Sequence, residues 1–490
     1  MSRVVVIGAG LAGLSTACHL IGQGHSVTVL ERDPGPGGRG QRVTQDGFTF
    51  DLGPTVMTMP ELLDAPLRAA GSSQAEAVPM RRLDPAYRGV FEDGSELLIR
   101  SDPAATREEI RRLAGDADAE AFDALVPELA RLYALELPNF IDRNFDSPLG
   151  LLSNPVAAAR LVRMGAFGTL SSFVGSRISD DRVRRMLSFQ ALYAGLSPAR
   201  ALAVYAVITY MDSIRGVWLP DGGMGAIPAG MAAVVERSAT IAYDTPVTRL
   251  LRRADGVVAG VDTPDGPVSA DAVVCTIDTP VAYRTLLPDL SLPLTLRRPR
   301  YSPSAVVWHV GARGALPERA THHNVHFGRQ WEQAFEALVD RGELMPDPSR
   351  LVTVSSHGEP GLAPEGGHTL YVLEPVPNLD GRVDWAIERE PMRERLQEFL
   401  SAQGYPTDVV TERLVTPVEW RQLGMGGGTP FGLAHLFRQT GPFRPANHDR
   451  RVPGLFFAGS STVPGVGVPM VLISGRLAAE RVERWVGSGR

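Results

Sequence analysis

Val4 to Ile7 form a short apolar run that leads directly into Gly8-Ala9-Gly10-Leu11-Ala12-Gly13, and apolar residues then recur at helical spacing through Ala17, Leu20 and Ile21. Buried strand, glycine turn and helix in immediate succession are the setting in which a GxGxxG motif binds a dinucleotide, and they predict an α/β fold with a parallel sheet. Gly8 permits the tight turn, Gly10 lets the backbone approach a pyrophosphate, and Gly13 lets the helix pack close to the strand. Amides at the helix N-terminus, around Ala9 and Ala12, then face the phosphate charge. A second strand, Ser26 to Leu30, ends in Glu31, eighteen residues beyond Gly13. A carboxylate at that place accepts hydrogen bonds from both ribose hydroxyls of an adenine nucleotide.

With 490 residues the chain exceeds what one core usually holds, so two or three subdomains are expected. A net charge of −6 gives no nucleic-acid signature. All 49 basic residues are arginine, which fits a GC-rich genome. The two cysteines, Cys18 and Cys275, sit in apolar segments and suggest no disulfide framework. A strand starting just after Met1 leaves no room for a signal peptide, and no long uncharged apolar run spans a membrane. A reducing, cytoplasmic setting is the expectation.

After Glu31, Arg32-Asp-Pro-Gly-Pro-Gly-Gly38-Arg39 offers a guanidinium beside a glycine pair, suited to clamp a pyrophosphate. Gly53-Pro54-Thr55 reads as a tight turn that brings backbone near a ligand. Arg88–Ile99 reads as a hairpin turning at Asp93-Gly94, followed by helices over 108–114 and 119–135. Pro148–Leu152 and Val156–Phe167 combine aliphatic bulk with two charges, Arg160 and Arg163. That pattern has two readings, a basic helix lying in a bilayer surface or a core helix of a subdomain. Further apolar helices are expected over 183–193 and 202–210. The glycines of 216–225 follow no suitable strand and read as a turn into a helix over 227–237. Strands follow over 239–251, 257–262 and 268–276, forming a meander. Strands then alternate with helices across 290–435, as in a sheet backed by helices. His322, His323 and His326 lack a partnering carboxylate or cysteine cluster, so no metal site is expected. At the C-terminus, a buried strand ends at Gly459-Ser460, crosses a Gly/Pro loop, and enters a helix near Gly467-Val468-Pro469-Met470. The free amides of that helix present positive character.

Taken together, Gly8-Ala9-Gly10, Glu31-Arg32, Gly37-Gly38-Arg39 and Asp51-Leu-Gly53-Pro54-Thr55 resemble the N-terminal signature of the flavoprotein superfamily of amine oxidases and carotenoid desaturases. The resemblance implies FAD rather than NAD, in a Rossmann-type FAD-binding domain like that of glutathione reductase. It places Glu31 on the adenosine ribose, Arg39 near the pyrophosphate, Gly53 to Thr55 near the flavin ring, and the backbone of Val247 against the adenine. The stretch 459–470 resembles the closing signature of bacterial-type phytoene desaturases, GxGTxPGxGxP, with Ser461 and Met470 in place of two glycines. The amides at its helix start would face the flavin's pyrimidine edge. The segments 187–193, 216–223, 370–377 and 439–447 also look like landmarks of that family, so the resemblance covers essentially the whole chain.

What this implies is a discontinuous FAD-binding domain (1–70, 215–288, 440–490), a sheet-plus-helix substrate domain (71–145, 289–439) and a helical, membrane-facing subdomain (146–214). The implied reaction is desaturation of phytoene or a related carotenoid at the inner face of the cell membrane, with a quinone or oxygen as electron acceptor. FAD accepts a hydride and a neighbouring carbon loses a proton, so the protein chiefly orients and excludes water. His435, Arg215 and Arg444 are the polar groups in segments expected to face the flavin. Many members carry an arginine where this chain has Gly168, and a glutamate where it has Ala434, so no proton-transfer residue carries over. Two other readings remain: an amine or porphyrinogen oxidase on the same fold, and a lipid-binding escort like the Rab-GDP-dissociation inhibitors.

Overall fold

The computed structural model describes residues 1–147, 150 and 154–488. Strand β1 (Arg3–Ile7) sends its side chains alternately to two cores. Val4 and Val6 pack against helix α1 (Leu11–Gly22), while Val5 and Ile7 enter a second core on the opposite face. A strand covered on both faces has no polar alternation to show, which is why it reads as a continuous valine run. β1 pairs in parallel with β2 (Ser26–Leu30) on one side and Ala272–Cys275 on the other, and Leu455–Phe457 and Thr240–Ala242 complete a five-stranded parallel sheet. The helices Ala226–Glu236 and Val468–Gly487 join α1 on the first face. A three-stranded meander and the helix Thr279–Leu286 cover the second.

The two ends of the chain meet in this domain. Gly475 of the C-terminal helix lies so close to α1 that a Cβ there would fall 2.7 Å from the Ala12 carbonyl oxygen and 2.8 Å from Ser15 Cβ. Ser15 Oγ donates to the Leu472 carbonyl at 2.8 Å, fixing the crossing.

A second, seven-stranded sheet runs in the order Asp408–Val415, Ser304–Arg313, Gly367–Val376, Arg350–Val354, His323–His326, Tyr87–Val90, Glu96–Ile99. The hairpin expected over 88–99 therefore forms, and it extends this sheet by pairing in parallel with His323–His326. Val306, Trp308 and Val310 pack beneath the helix Trp385–Ala402. Ala305, Val307 and Tyr371 point to the other side, toward the site described below. Helices including Asp116–Glu136, Pro155–Arg163 and Asp181–Met186 build a third core with the hairpin.

Several elements differ from the sequence-based expectation. The strand expected over 239–251 divides into Thr240–Ala242, in the parallel sheet, and Arg249–Arg252, in the meander. Pro246 lies between them and has no N–H for a ladder. Residues 268–276 divide likewise into Gly266–Ser269 and Ala272–Cys275, one in each sheet. The helix expected over 183–193 ends at Met186 and resumes as a 3₁₀ segment, Phe189–Ala194, where Ser188 Oγ donates back to the Arg184 carbonyl at 2.7 Å. A serine hydroxyl bonded that way competes with the helix ladder. The helix expected over 202–210 is a 3₁₀ turn, a single α-turn and then a π-turn at Tyr210–Ile214. Pro148–Leu152, expected to be an apolar segment, lies outside the described residues apart from Gly150.

Candidate functional site

A cavity of about 1170 Å³ begins at the glycine turn after β1 and continues between the two sheets. Its first half is built on backbone. Gly8 has φ +102°, and a Cβ there would lie 2.4 Å from Thr276 Oγ1. A Cβ on Gly13 would fall 1.9 Å from the Gly8 carbonyl oxygen, so this glycine permits the turn to close on the helix. Gly10 is different. Its φ of −75° suits any residue, and a Cβ would meet nothing nearer than 3.8 Å, yet Gly10 lines the cavity. No internal packing explains that glycine, whereas close approach of a ligand does.

Glu31 is buried at the end of β2 and lines the same wall. Its Oε2 accepts from the Ala9 amide at 2.6 Å and its Oε1 from the Asp33 amide at 3.0 Å, which fixes the carboxylate while leaving lone pairs for a diol. Burial raises its pKa against the effect of those two amides. Val247, Arg32, Gly38 and Arg39 also line the cavity. The Arg32 guanidinium is turned to the Leu423 carbonyl, 2.6 Å away. Arg39 donates to the Pro430 carbonyl at 2.9 Å and to Ser460 Oγ, and its Nη2 lies 4.0 Å from Asp278.

Gly53, Pro54 and Thr55 line the cavity beyond Arg39. Gly53 has an internal reason to be glycine, because a Cβ would sit 1.7 Å from the Arg39 carbonyl oxygen. Opposite them, Gly459 and Ser460 follow the strand Leu455–Phe457, and Gly467, with φ +114°, caps the helix Val468–Gly487. Gly467, Val468, Pro469 and Met470 all line the cavity. Proline has no N–H and Val471 N already bonds to the Gly467 carbonyl, so Val468 and Met470 carry the free amides of this first turn. Ala9 and Gly13 lie behind the lining, the first through its bond to Glu31 and the second through its packing on Gly8. These features fit an FAD: a glycine whose missing Cβ leaves room at the surface, a fixed carboxylate, an arginine, and helix amides at both ends of the cleft.

The second half of the cavity is walled mainly by hydrocarbon, including Phe189, Leu192, Val207, Met211, Phe327, Trp331, Leu373 and Trp420. Phe167 and Phe437 line it and are also 50% and 57% exposed, so they mark its mouth. Few charges face it. Arg350 is paired with Glu374 at 2.7 Å. Glu136, at the end of the helix Asp116–Glu136, is buried with its Oε1 unpartnered among the described residues, and burial holds its carboxyl far above the usual range.

Of the three polar candidates drawn from the sequence, His435 alone lines the cavity. Its Nδ1 is 3.2 Å from Thr440 Oγ1, its Nε2 has no partner among the described residues, and its ring occupies the space a Cβ on Gly465 would take, 2.2 Å from Cε1. Burial, aided by Arg444, pushes its pKa well below the usual histidine range, so it is neutral. Arg215 is not in the lining; it pairs with Glu61 at 2.7 Å and donates to Tyr133 Oη at 3.0 Å. Arg444 lies behind the wall and donates to the carbonyls of Thr462, Gln439, Leu433 and Ser460. Sequence reasoning missed Asp278 and Asp212, both buried and both in the lining. Asp278 stands three residues past the strand Ala272–Cys275, at the carboxyl edge where such sheets bind ligands, and that position was the available signal. Asp212 had none, because a π-turn breaks the helical spacing around it.

A family model described as "Flavin containing amine oxidoreductase" matches residues 11–483. The chain is 46% identical to a phytoene dehydrogenase of Streptomyces griseus, over 98% of this chain and 95% of that one. It is 37% identical to a zeta-carotene-forming phytoene desaturase of Myxococcus xanthus, over 99% and 94%. Among solved structures, an oxidoreductase of Methanosarcina mazei superimposes with a TM-score of 0.67 at 18% identity, covering 98% of this chain and all of that one.

Proposed function

The chain belongs to the flavin-containing amine oxidoreductase family, and from that premise we propose that it is an FAD-dependent desaturase of phytoene or a related carotenoid. The observation that carries this reading is the continuity of one cavity, polar and glycine-walled at its first end and walled by hydrocarbon at its second. An almost purely hydrocarbon substrate needs such a wall, whereas a charged one would meet a large desolvation cost there. The phytoene-desaturating relatives align along nearly the whole chain, which supports the same substrate class.

When bound, FAD supplies the acceptor for a hydride. The chain's own residues hold and orient it. Glu31 would accept from the ribose hydroxyls, and the Val247 backbone would flank the adenine. The turn Gly8–Gly13 presents amides to the pyrophosphate, with Arg39 as a second clamp. Gly53 to Thr55, Gly459 and Ser460 would border the flavin ring, and the Val468 and Met470 amides would favour negative charge beside the first turn of their helix. The apolar second half positions an allylic carbon and keeps water away from it. A quinone or oxygen would serve as the final electron acceptor. Production in cells that accumulate phytoene is the direct test: coloured polyenes should appear, and colourless phytoene persisting beside FAD-loaded protein overturns the reading.

The substrate reaches the cavity from a bilayer. In the helix Pro155–Arg163 and its continuation, Val156, Val162 and Phe167 are 59%, 65% and 50% exposed, while Ala157 and Leu161 are buried. The buried face packs in the subdomain core, and the exposed apolar face supports the bilayer-surface reading. Arg160 and Arg163 flank the exposed apolar residues and suit anionic headgroups, each contributing about 1 kcal/mol near such a surface. No helix among the described residues is long and apolar enough to cross a membrane; the exposed apolar face and its arginines would instead rest on the surface of the cell membrane, at its inner face. Exchanging both arginines for glutamate should weaken binding to anionic phospholipid vesicles by at least about tenfold, as lost attraction of some 2 kcal/mol implies. Cosedimentation measures it, and unchanged binding removes this face from the interface.

A further inference from the structure

The π-turn Tyr210–Ile214 brings Asp212 into the hydrocarbon wall, where it is 1% exposed. Such turns insert one residue into helical spacing and recur at functional positions. The carboxylate is held from three sides. Ser213 Oγ donates to Oδ1 at 2.8 Å, Gln190 Nε2 donates to the same oxygen at 3.3 Å, and Tyr87 Oη faces Oδ2 at 3.4 Å. The cluster also touches the flavin-side loop. The Tyr87 ring is 5.4 Å from that of His323, whose Nε2 lies 2.9 Å from the Thr55 carbonyl oxygen.

We infer that Asp212 is the base that takes the proton lost from the carotenoid. The inference rests on the desaturase reading above. In the step, the C–H bond of one allylic carbon breaks and its electron pair leaves as hydride to FAD. The C–H bond of the neighbouring carbon breaks too; its pair becomes the new π bond, and its proton forms an O–H bond on Asp212 Oδ2. The proton returns to solvent between turnovers.

The other ionisable groups in this half of the wall do not suit the role. Arg350 is a paired cation, and Glu136 stays protonated for want of any donor. His435 is a weak base, its pKa pushed well below the usual value. Tyr193, Tyr205 and Tyr371 are all held protonated by burial. Burial lifts the Asp212 pKa to about 7, with its three donors limiting the rise, which leaves a carboxylate matched to neutral pH. The titratable groups facing it are Tyr87 and Tyr193. The helix Asp116–Glu136, packed on the same turn, contributes Tyr133, whose ring lies tilted 5.2 Å from that of Tyr210, and Glu136. Arg215, at the end of the turn, is engaged by Glu61 and Tyr133.

The test compares wild type with Asp212→Asn, Asp212→Glu and Gln190→Leu, each loaded with FAD and given phytoene in vesicles. Asp212→Asn should bind FAD normally, keep KM within about threefold, and lose about 100-fold in kcat, the lower range for a missing base. Asp212→Glu should recover most of it. Wild-type kcat/KM should climb with pH to an inflection near 7, absent in Asp212→Asn. In Gln190→Leu the anion loses a donor, so the inflection should move upward. Thermal melts give a readout independent of turnover. A folded-state pKa above the unfolded value makes the aspartate progressively destabilising as pH rises from about 4 to 7, so the melting temperature of Asp212→Asn minus that of wild type should increase over that range and then level. A flat difference, an unmoved inflection, or turnover of Asp212→Asn within threefold of wild type overturns the assignment. Absence of turnover in wild type itself sinks the desaturase reading, and this proposal with it.

Discussion

Replacing Arg444 by methionine is expected to cost about 4 kcal/mol or more of stability, because each buried carbonyl left without a donor costs about 1–3 kcal/mol. Four carbonyls depend on this side chain: Thr462, Gln439, Leu433 and Ser460. They belong to the loop that follows the strand Leu455–Phe457 and to the segment that faces it, and these together form one wall of the flavin cleft. Arg444 is 3% exposed, and burial lowers its pKa only to about 10, so it remains charged at neutral pH. Methionine fills comparable space without donors. Lysine supplies three donors on one nitrogen and lacks the planar fork, so Arg444→Lys should recover only part of the loss. Thermal or denaturant unfolding of the apoprotein checks this directly, with flavin content as a second reading. An Arg444→Met protein that melts with wild type and keeps its FAD would mean the loop carbonyls find water or other donors.

That expectation inverts what the sequence suggested. The segment of Arg444 resembles one that faces the flavin, and it does line the cleft through Thr440 to Phe443; the side chain, however, turns away from it. Segment position was legible from sequence, side-chain direction was not. The same division applies elsewhere. β1, the glycine turn and α1 are local features with a fixed spacing, so they are legible from residues 3–22, although Thr276 and Glu31 hold the turn from outside that segment. The pairing of Leu455–Phe457 with Ala272–Cys275 and the contact of Gly475 with α1 join residues hundreds of positions apart. Motif likeness pointed to their proximity, while periodicity carried no sign of it. Gly53 shows a subtler limit. It was read as a place for a ligand, and it does line the cleft, but a clash with the Arg39 carbonyl already requires glycine there. Between 183 and 214 the apolar pattern was real and the regular helix was not. Ser188 bonds back to its own chain, and the π-turn at Tyr210–Ile214 shifts the helical spacing so that Asp212 enters the wall. Short irregular turns around a ligand cavity leave little periodic trace.

Gly10→Ala should leave the fold intact and weaken FAD binding by about 100-fold, some 2.7 kcal/mol. Gly8 and Gly13 are held to glycine by the protein's own atoms, Thr276 Oγ1 at 2.4 Å and the Gly8 carbonyl oxygen at 1.9 Å from the respective Cβ positions. Gly13→Ala must therefore spread the turn from α1, and its apoprotein should already be destabilised. Gly10 has an extended backbone and 3.8 Å of clearance. In the apoprotein an alanine there is compatible with the native conformation, and it even restricts the unfolded chain, which favours folding by about 0.4–1 kcal/mol. Gly10 lines the cleft, and on the proposed placement of the pyrophosphate the added methyl would obstruct its approach, so the cost should appear only when the ligand enters. Comparing melting temperatures of the two apoproteins, and titrating each with FAD, separates a glycine required by packing from one required by a ligand. Equal losses of apoprotein stability in both variants would assign Gly10 to the fold. Unaltered FAD affinity in Gly10→Ala would move the pyrophosphate away from α1, and with it the whole orientation of the flavin in the cleft.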